Sequence, residues 1–140
     1  MTRHDGSLTA AFGELSDMGY IAREDYSCCG GCAGYELTML AEEAIDRGRP
    51  AESIRGAVYY HHQDAQRYAV GDDFHLGYGP LGSTRYGDLG LPTEQVGREV
   101  VDVLGSHGIG TEWDGNGDTR IRVLVSTLTD PWPAFDDDEL

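Results

Sequence analysis

Three cysteines stand within five positions, at Cys28, Cys29 and Cys32, and two glycines separate the last two. A Cys-x-x-Cys turn aims two sulfurs at one point, which suits a tetrahedral Zn²⁺ ion. Such an ion needs four ligands, so Cys28 and one of the neighbouring histidines His61 and His62 are the candidates that complete the set. We expect these histidines to end a strand, where side chains alternate and only one of the two can face the cysteines.

The same cysteines also suit thiol redox chemistry. If Cys29 and Cys32 stand at the start of a helix that runs through residues 37–45, its unpaired N–H groups and its dipole lower the thiol pKa and favour a reversible disulfide. A third interpretation is structural, because small thiols and glycines pack tightly at a strand-to-helix turn and free cysteine is often buried. Zinc, redox chemistry and packing therefore all remain open at this point.

Other motifs carry no chemistry. The run Asp114-Gly115-Asn116-Gly117-Asp118 imitates the start of a calcium loop, but the glycine and glutamate that an EF-hand requires later are replaced by Thr119 and Val125, so we predict a hairpin turn. The glycines of residues 77–84 lack the lysine and the spacing of phosphate-binding loops. No Gly-x-Ser-x-Gly signature supports a hydrolase.

The charge balance excludes several functions. The chain has 25 acidic and 10 basic residues, a net charge of −15, and every basic residue is arginine. Such a field repels nucleic acid and anionic membranes. Codon bias explains the missing lysine but not the acidic excess, which favours a salt-rich, halophilic interior. With no apolar run of membrane-spanning length, no signal peptide and no cysteines placed to bridge distant segments, we expect a cytoplasmic protein.

Hydrophobic periodicity predicts the elements that position these residues. Apolar stripes indicate helices over residues 7–18, over residues 37–45, and after Pro92, where Val96, Val100, Val103 and Leu104 form the stripe. Residues 64–70 predict a short helical segment. Alternation indicates strands at residues 54–62 and 74–78, a glycine-rich loop at 79–90, and a hairpin at 111–113 and 120–126 in which Ile121, Val123 and Val125 face the core.

This pattern predicts an α+β fold, a single compact domain over residues 1–128. We expect a mixed or antiparallel sheet of about four to five strands with three main helices. Residues 129–140 hold a run of four acids and two prolines and predict a disordered acidic tail.

The string Arg-Glu-Asp-Tyr-Ser-Cys-Cys-Gly-Gly-Cys at residues 23–32 resembles the opening motif of an uncharacterised microbial family, the domain of unknown function 6891. The resemblance continues at residues 62–64, 76–79 and 113–115 and covers residues 20–125. It implies no activity. It does suggest that Arg23, Glu24, Asp25, Gln63 and Asp64 meet the cysteines in space.

The sequence thus favours a small, acidic, non-enzymatic binding or accessory domain with a protein or small-molecule partner. The alternative is a zinc-binding or thiol-redox protein that uses Cys28, Cys29 and Cys32.

Overall fold

The computed structural model describes residues 7–26 and 30–128, with the backbone alone for residues 30–33. Cys28, Cys29 and the acidic segment 129–140 lie outside these residues. Within the described ranges the chain forms four α-helices: α1 (Ser7–Met18), α2 (Gly30–Asp46), α3 (His62–Ala69) and α4 (Thr93–Ser106). The strands are β1 (Tyr20–Arg23), β2 (Gly56–Tyr59), β3 (Phe74–Gly79), β4 (Leu81–Ser83), β5 (Gly87–Leu89), β6 (Thr111–Glu112) and β7 (Ile121–Val123).

Five strands form one mixed sheet in the order β1-β2-β3-β7-β6, and β4 pairs with β5 in a separate hairpin. Strands β1 and β2 are parallel and are joined by a crossover through α2, whereas the other pairs are antiparallel. The expected α+β fold with a mixed sheet is confirmed. None of the helices in the described ranges is long and apolar enough to cross a bilayer.

The sheet separates two apolar cores because side chains alternate along its strands. The larger core buries α1, α3 and α4 against one face, where the aromatic ring of Tyr60 packs edge-on against Phe12 and Phe74. The smaller core holds α2 and the β4–β5 hairpin against β1 and β2 through residues such as Leu37 and Ala57. Helix α2 therefore lies over the two parallel strands.

Polar contacts fix helix α4 to the parallel strands. The Tyr20 hydroxyl donates to Oε1 of Glu99 at 2.6 Å, and the Arg55 guanidinium binds the same carboxylate at 2.6 and 3.1 Å. Arg55 lowers the pKa of Glu99, while burial and then Glu99 itself raise the pKa of Tyr20. Glu99 thereby links Tyr20, the first residue of β1, to Arg55, the residue that comes before β2.

The structure corrects three local predictions. The strand expected over residues 54–62 ends at Tyr59, because the chain turns into α3 at His61 and His62. The expected glycine-rich loop 79–90 contains the β4–β5 hairpin. Val125 packs against the same core as Ile121 and Val123 but is only partly buried and lies outside the strand, because it begins a 3-10 turn in which Leu128 N–H donates to its carbonyl.

Candidate functional site

The carboxyl ends of β1 and β2 meet at one edge of the sheet, since the two strands are parallel. Their pairing continues past the strands: Tyr60 N–H donates to the Arg23 carbonyl at 3.4 Å, and Tyr26 N–H donates to the Tyr60 carbonyl at 2.9 Å. Residues 24–26 therefore lie beside residues 60–62. The segment that carries the cysteines follows directly after Tyr26 in the chain.

His61 and Asp64 form a buried pair at this edge. His61 is the residue before α3, and its Nδ1 lies 3.2 Å from Oδ2 of Asp64, with both side chains almost fully enclosed. The Asp64 N–H also points at Nδ1, but at a longer 3.4 Å. Within the described ranges Oδ2 itself accepts no hydrogen bond, so its approach to Nδ1 is a close contact and not a hydrogen bond. With Nδ1 accepting from the Asp64 N–H, the neutral imidazole carries its proton on Nε2, and Oδ2 of Asp64 is a buried carboxylate oxygen that lacks a donor.

His62 occupies a different environment. Its side chain is 60 % exposed, and its Nδ1 lies 2.8 Å from Oδ1 of Asp25. Asp25 has a positive φ of 49°, the left-handed conformation that aspartate tolerates better than most residues. This pair links the end of β1 to the first turn of α3 at the surface.

Glu24 and Tyr60 form a third pair between the same two segments. The Tyr60 hydroxyl donates to Oε1 of Glu24 at 2.9 Å. Burial raises the pKa of the Glu24 carboxyl, and hydrogen bonds from Thr9 and Tyr60 offset that shift only in part. Burial, followed by the charge of Glu24, also raises the pKa of Tyr60. The edge thus holds a carboxyl group with a perturbed pKa, bound to the side chain of the residue that precedes His61.

The structure describes only some of the candidate metal ligands. Cys28 and Cys29 lie outside the described residues, and Cys32 is placed in the first turn of α2 without its side chain. His61 and His62 both lie at the edge from which the cysteine segment departs. Considering residues 7–26 and 30–128 alone, no three histidine, cysteine, aspartate or glutamate side chains converge as a metal site.

The polar residues that the family resemblance points to behave differently from one another. Glu24, Asp25 and Asp64 each contact a side chain of residues 60–62. The Arg23 guanidinium instead donates to the Ala22 carbonyl at 2.8 Å. Residues 24, 25 and 64 therefore belong to the candidate site.

The motifs at residues 76–79 and 113–115 serve the fold elsewhere. The rings of Tyr78 and Trp113 meet edge-to-face at 5.7 Å. Both side chains donate to the carbonyls of Asn116 and Thr119, and so clamp the loop between β6 and β7. Asp114 accepts from the Asn116 N–H at 2.9 Å within that loop, as a turn residue does. The hairpin turn predicted there in place of a calcium loop is consistent with the pairing of β6 with β7.

Sequence reasoning missed the partner of His61. The spacing His61-x-x-Asp64 carried a signal, because residues three apart in the first helical turn exchange capping contacts. The contact between Glu24 and Tyr60 had no such signal, since it depends on the parallel register of β1 and β2.

Comparison with known proteins identifies one family whose model covers most of this chain. A model described as a domain of unknown function (DUF6891) matches residues 2–127. No curated protein and no solved structure matches the chain. The role of the site must therefore be argued from its own chemistry.

Proposed function

We propose, for a chain that belongs to the DUF6891 family, a non-enzymatic zinc-binding function in which Cys28, Cys29, Cys32 and His61 hold one Zn²⁺ ion. The observation that carries the proposal is the buried contact between His61 and Asp64, 3.2 Å from Nδ1 to Oδ2. A histidine that ligates a metal through one nitrogen almost always donates from the other to a carboxylate or carbonyl, which fixes its tautomer. Zinc bound at Nε2 would put the ring proton on Nδ1, 3.2 Å from the Asp64 oxygen that otherwise lacks a donor, and the pair supports zinc binding in this way.

Covalent geometry allows the cysteines to reach this histidine. The Tyr26 N–H donates a hydrogen bond to the carbonyl of Tyr60, the residue before His61. Two residues span at most about 7 Å of chain, so the Cα of Cys28 stays that close to the Cα of Tyr26. Cys32 lies in the first turn of α2, whose first residue is Gly30. The described residue that leads into the cysteine segment and the residue before His61 thus meet at the same edge of the sheet, which supports the proposal.

The structure supports His61 over His62 as the fourth ligand. Both imidazoles have Nδ1 near a carboxylate, but His61 is buried, whereas His62 is exposed and its contact with Asp25 lies at the surface. Three thiolates and one imidazole fill the tetrahedral shell of zinc and leave no open position for a substrate. The proposal is therefore a structural zinc centre. It fits a cytoplasmic, salt-rich setting, because a reducing compartment keeps thiols available for metal.

Zinc content and cobalt spectroscopy test the proposal. Native mass spectrometry of the full chain should show one zinc per chain that a chelator removes, and Co²⁺ should give the visible absorption of a tetrahedral thiolate site. His61→Gln should lower zinc affinity about 10-fold or more, while the matched control His62→Gln leaves it nearly unchanged. A native protein that takes up no stoichiometric zinc would overturn the proposal, as would equal losses in both variants.

Thiol redox chemistry is the second candidate, favoured by the position at which α2 begins. Gly30 is the first helical residue, so the Cys-x-x-Cys sequence straddles the helix start. The unpaired N–H groups there stabilise a thiolate. This function requires a metal-free protein, a reversible disulfide between Cys29 and Cys32 under mild oxidant, and a thiol of lowered pKa. Bound zinc that blocks the oxidation excludes it.

A further inference from the structure

A groove of about 540 Å³ lies between helix α2 and the β4–β5 hairpin. Tyr35, Thr38, Met39 and Glu42 form its helical wall, and Gly82 and Thr84 line the hairpin wall. We call it the α2 groove. The four helical residues recur at positions i, i+3, i+4 and i+7, so they share one face of α2.

Two apolar side chains of the α2 groove are exposed and lie outside both apolar cores. Tyr35 is 72 % exposed and Met39 is 43 % exposed, whereas Leu37 and Ala41 on the inner side of the same helix are buried. Tyrosine and methionine are enriched at protein interfaces, and methionine adapts its shape to different partners. The outer face of α2 thus has the composition of a docking surface.

The negative charge of α2 favours a partner that carries positive charge. Its charged residues, Glu36, Glu42, Glu43 and Asp46, are all acidic. The nearby cation Arg85 is already occupied, because it binds Asp46 at 2.7 and 3.0 Å. Among the described residues Arg85 also acts on Glu42 through its charge, but no guanidinium forms an ion pair with Glu36, Glu42 or Glu43.

Glu42 provides a specific point of attachment within the groove. Its Oε2 accepts a hydrogen bond from the Ser83 hydroxyl at 2.6 Å, which holds the carboxylate in place. In the described part of the chain, its Oε1 makes no hydrogen bond. A held carboxylate in a groove with exposed apolar side chains matches a guanidinium, which binds carboxylates through parallel N–H groups.

We propose that the α2 groove docks a segment of another protein that carries an arginine beside an apolar residue. The arginine binds Glu42, and the apolar residue packs against Met39 and Tyr35. This surface is a function separate from the zinc centre, and it does not depend on that centre.

The test is an NMR titration of the full, metal-loaded chain with a peptide in which arginine and leucine alternate. A second peptide with glutamate in place of arginine is the control for charge. We expect saturable shifts at Tyr35, Met39, Glu42 and Gly82 with the basic peptide only. The double variant Tyr35→Ser/Met39→Ser should weaken binding about 10-fold. Glu42→Gln, which keeps the acceptor for Ser83, should also weaken it.

A matched control removes two exposed apolar side chains elsewhere. Met18 is 37 % and Val70 is 75 % exposed, and Met18→Ser/Val70→Ser should leave peptide affinity unchanged. Equal affinity of the Tyr35→Ser/Met39→Ser variant, shifts spread over the whole acidic surface, or binding of the glutamate peptide would each overturn the proposal. Concentration-dependent dimerisation through these residues without peptide would also overturn it, since a second copy would then be the occupant. Zinc content, measured in the same variants, keeps this outcome apart from that of the metal proposal.

Discussion

Oδ2 of Asp64 lies 3.2 Å from Nδ1 of His61, and both side chains are buried. In the zinc-bound protein, Asp64→Asn replaces the charged acceptor of the Nδ1 proton with a neutral amide, so the free energy of unfolding should fall by about 1–3 kcal/mol. Zinc affinity should fall about 10- to 100-fold, because the carboxylate fixes the ligating tautomer. Denaturant unfolding and chelator competition measure the two effects. Asp72→Asn removes a charge from an exposed position nearby and should change neither.

Glu24→Gln should flatten the pH dependence of stability. Burial raises the pKa of Glu24 above its unfolded value, so the folded state holds this proton more tightly. That contribution to stability is complete below the unfolded pKa and is lost as the pH rises through the folded pKa. Glu24→Gln should therefore be more stable than the parent at neutral pH, and this advantage should shrink toward acid pH. Unfolding curves from acid to neutral pH measure it, and an advantage that grows toward acid pH would contradict the assignment.

Gly97→Ala should destabilise the protein. A Cβ at Gly97 would lie 2.6 Å from the Trp113 ring and 3.0 Å from the Tyr78 ring, so the clamp on the β6–β7 loop must shift. The expected loss is about 1–3 kcal/mol, with a change in Trp113 fluorescence. Gly105→Ala in the same helix meets nothing within 4 Å and should gain up to about 1 kcal/mol. Similar effects of both substitutions would mean that helix propensity alone decides the outcome.

The melting temperature should rise from dilute buffer to molar KCl. A net charge of −15 repels itself at low ionic strength, and the screening length falls from about 10 Å at 0.1 M to about 3 Å at 1 M salt. Near the isoelectric point, about pH 4.4, the net charge vanishes and the salt effect should shrink. Thermal unfolding followed by circular dichroism tests this. A melting temperature independent of salt at neutral pH would favour codon bias as the origin of the composition.

The helices could be predicted because their apolar stripes are long. Val96, Val100 and Leu104 fall on the buried side of α4 as their spacing indicates. The short strands could not be predicted equally well. Leu81–Ser83 and Gly87–Leu89 have three residues each, too few for alternation to rise above the surrounding glycines.

The candidate site was predictable only in its residue types. The histidines at positions 61 and 62 were singled out from sequence, but their different surroundings follow from the turn into α3, which ends the strand before them. His61 contacts Asp64, which is close to it in the sequence. His62 contacts Asp25, which is distant in the sequence and lies nearby because β1 and β2 pair in register. Only the local spacing is visible in a single sequence.

The Tyr26 N–H donates a hydrogen bond to the Tyr60 carbonyl, so the amide proton of Tyr26 reports whether the ends of β1 and β2 stay together. Tyr26 is the last described residue before the cysteine segment, and its N–H exchanges with solvent only when the ends of β1 and β2 separate. Slower hydrogen exchange at this position on adding zinc would show that the metal draws the two strand ends together, without any probe attached to the cysteines.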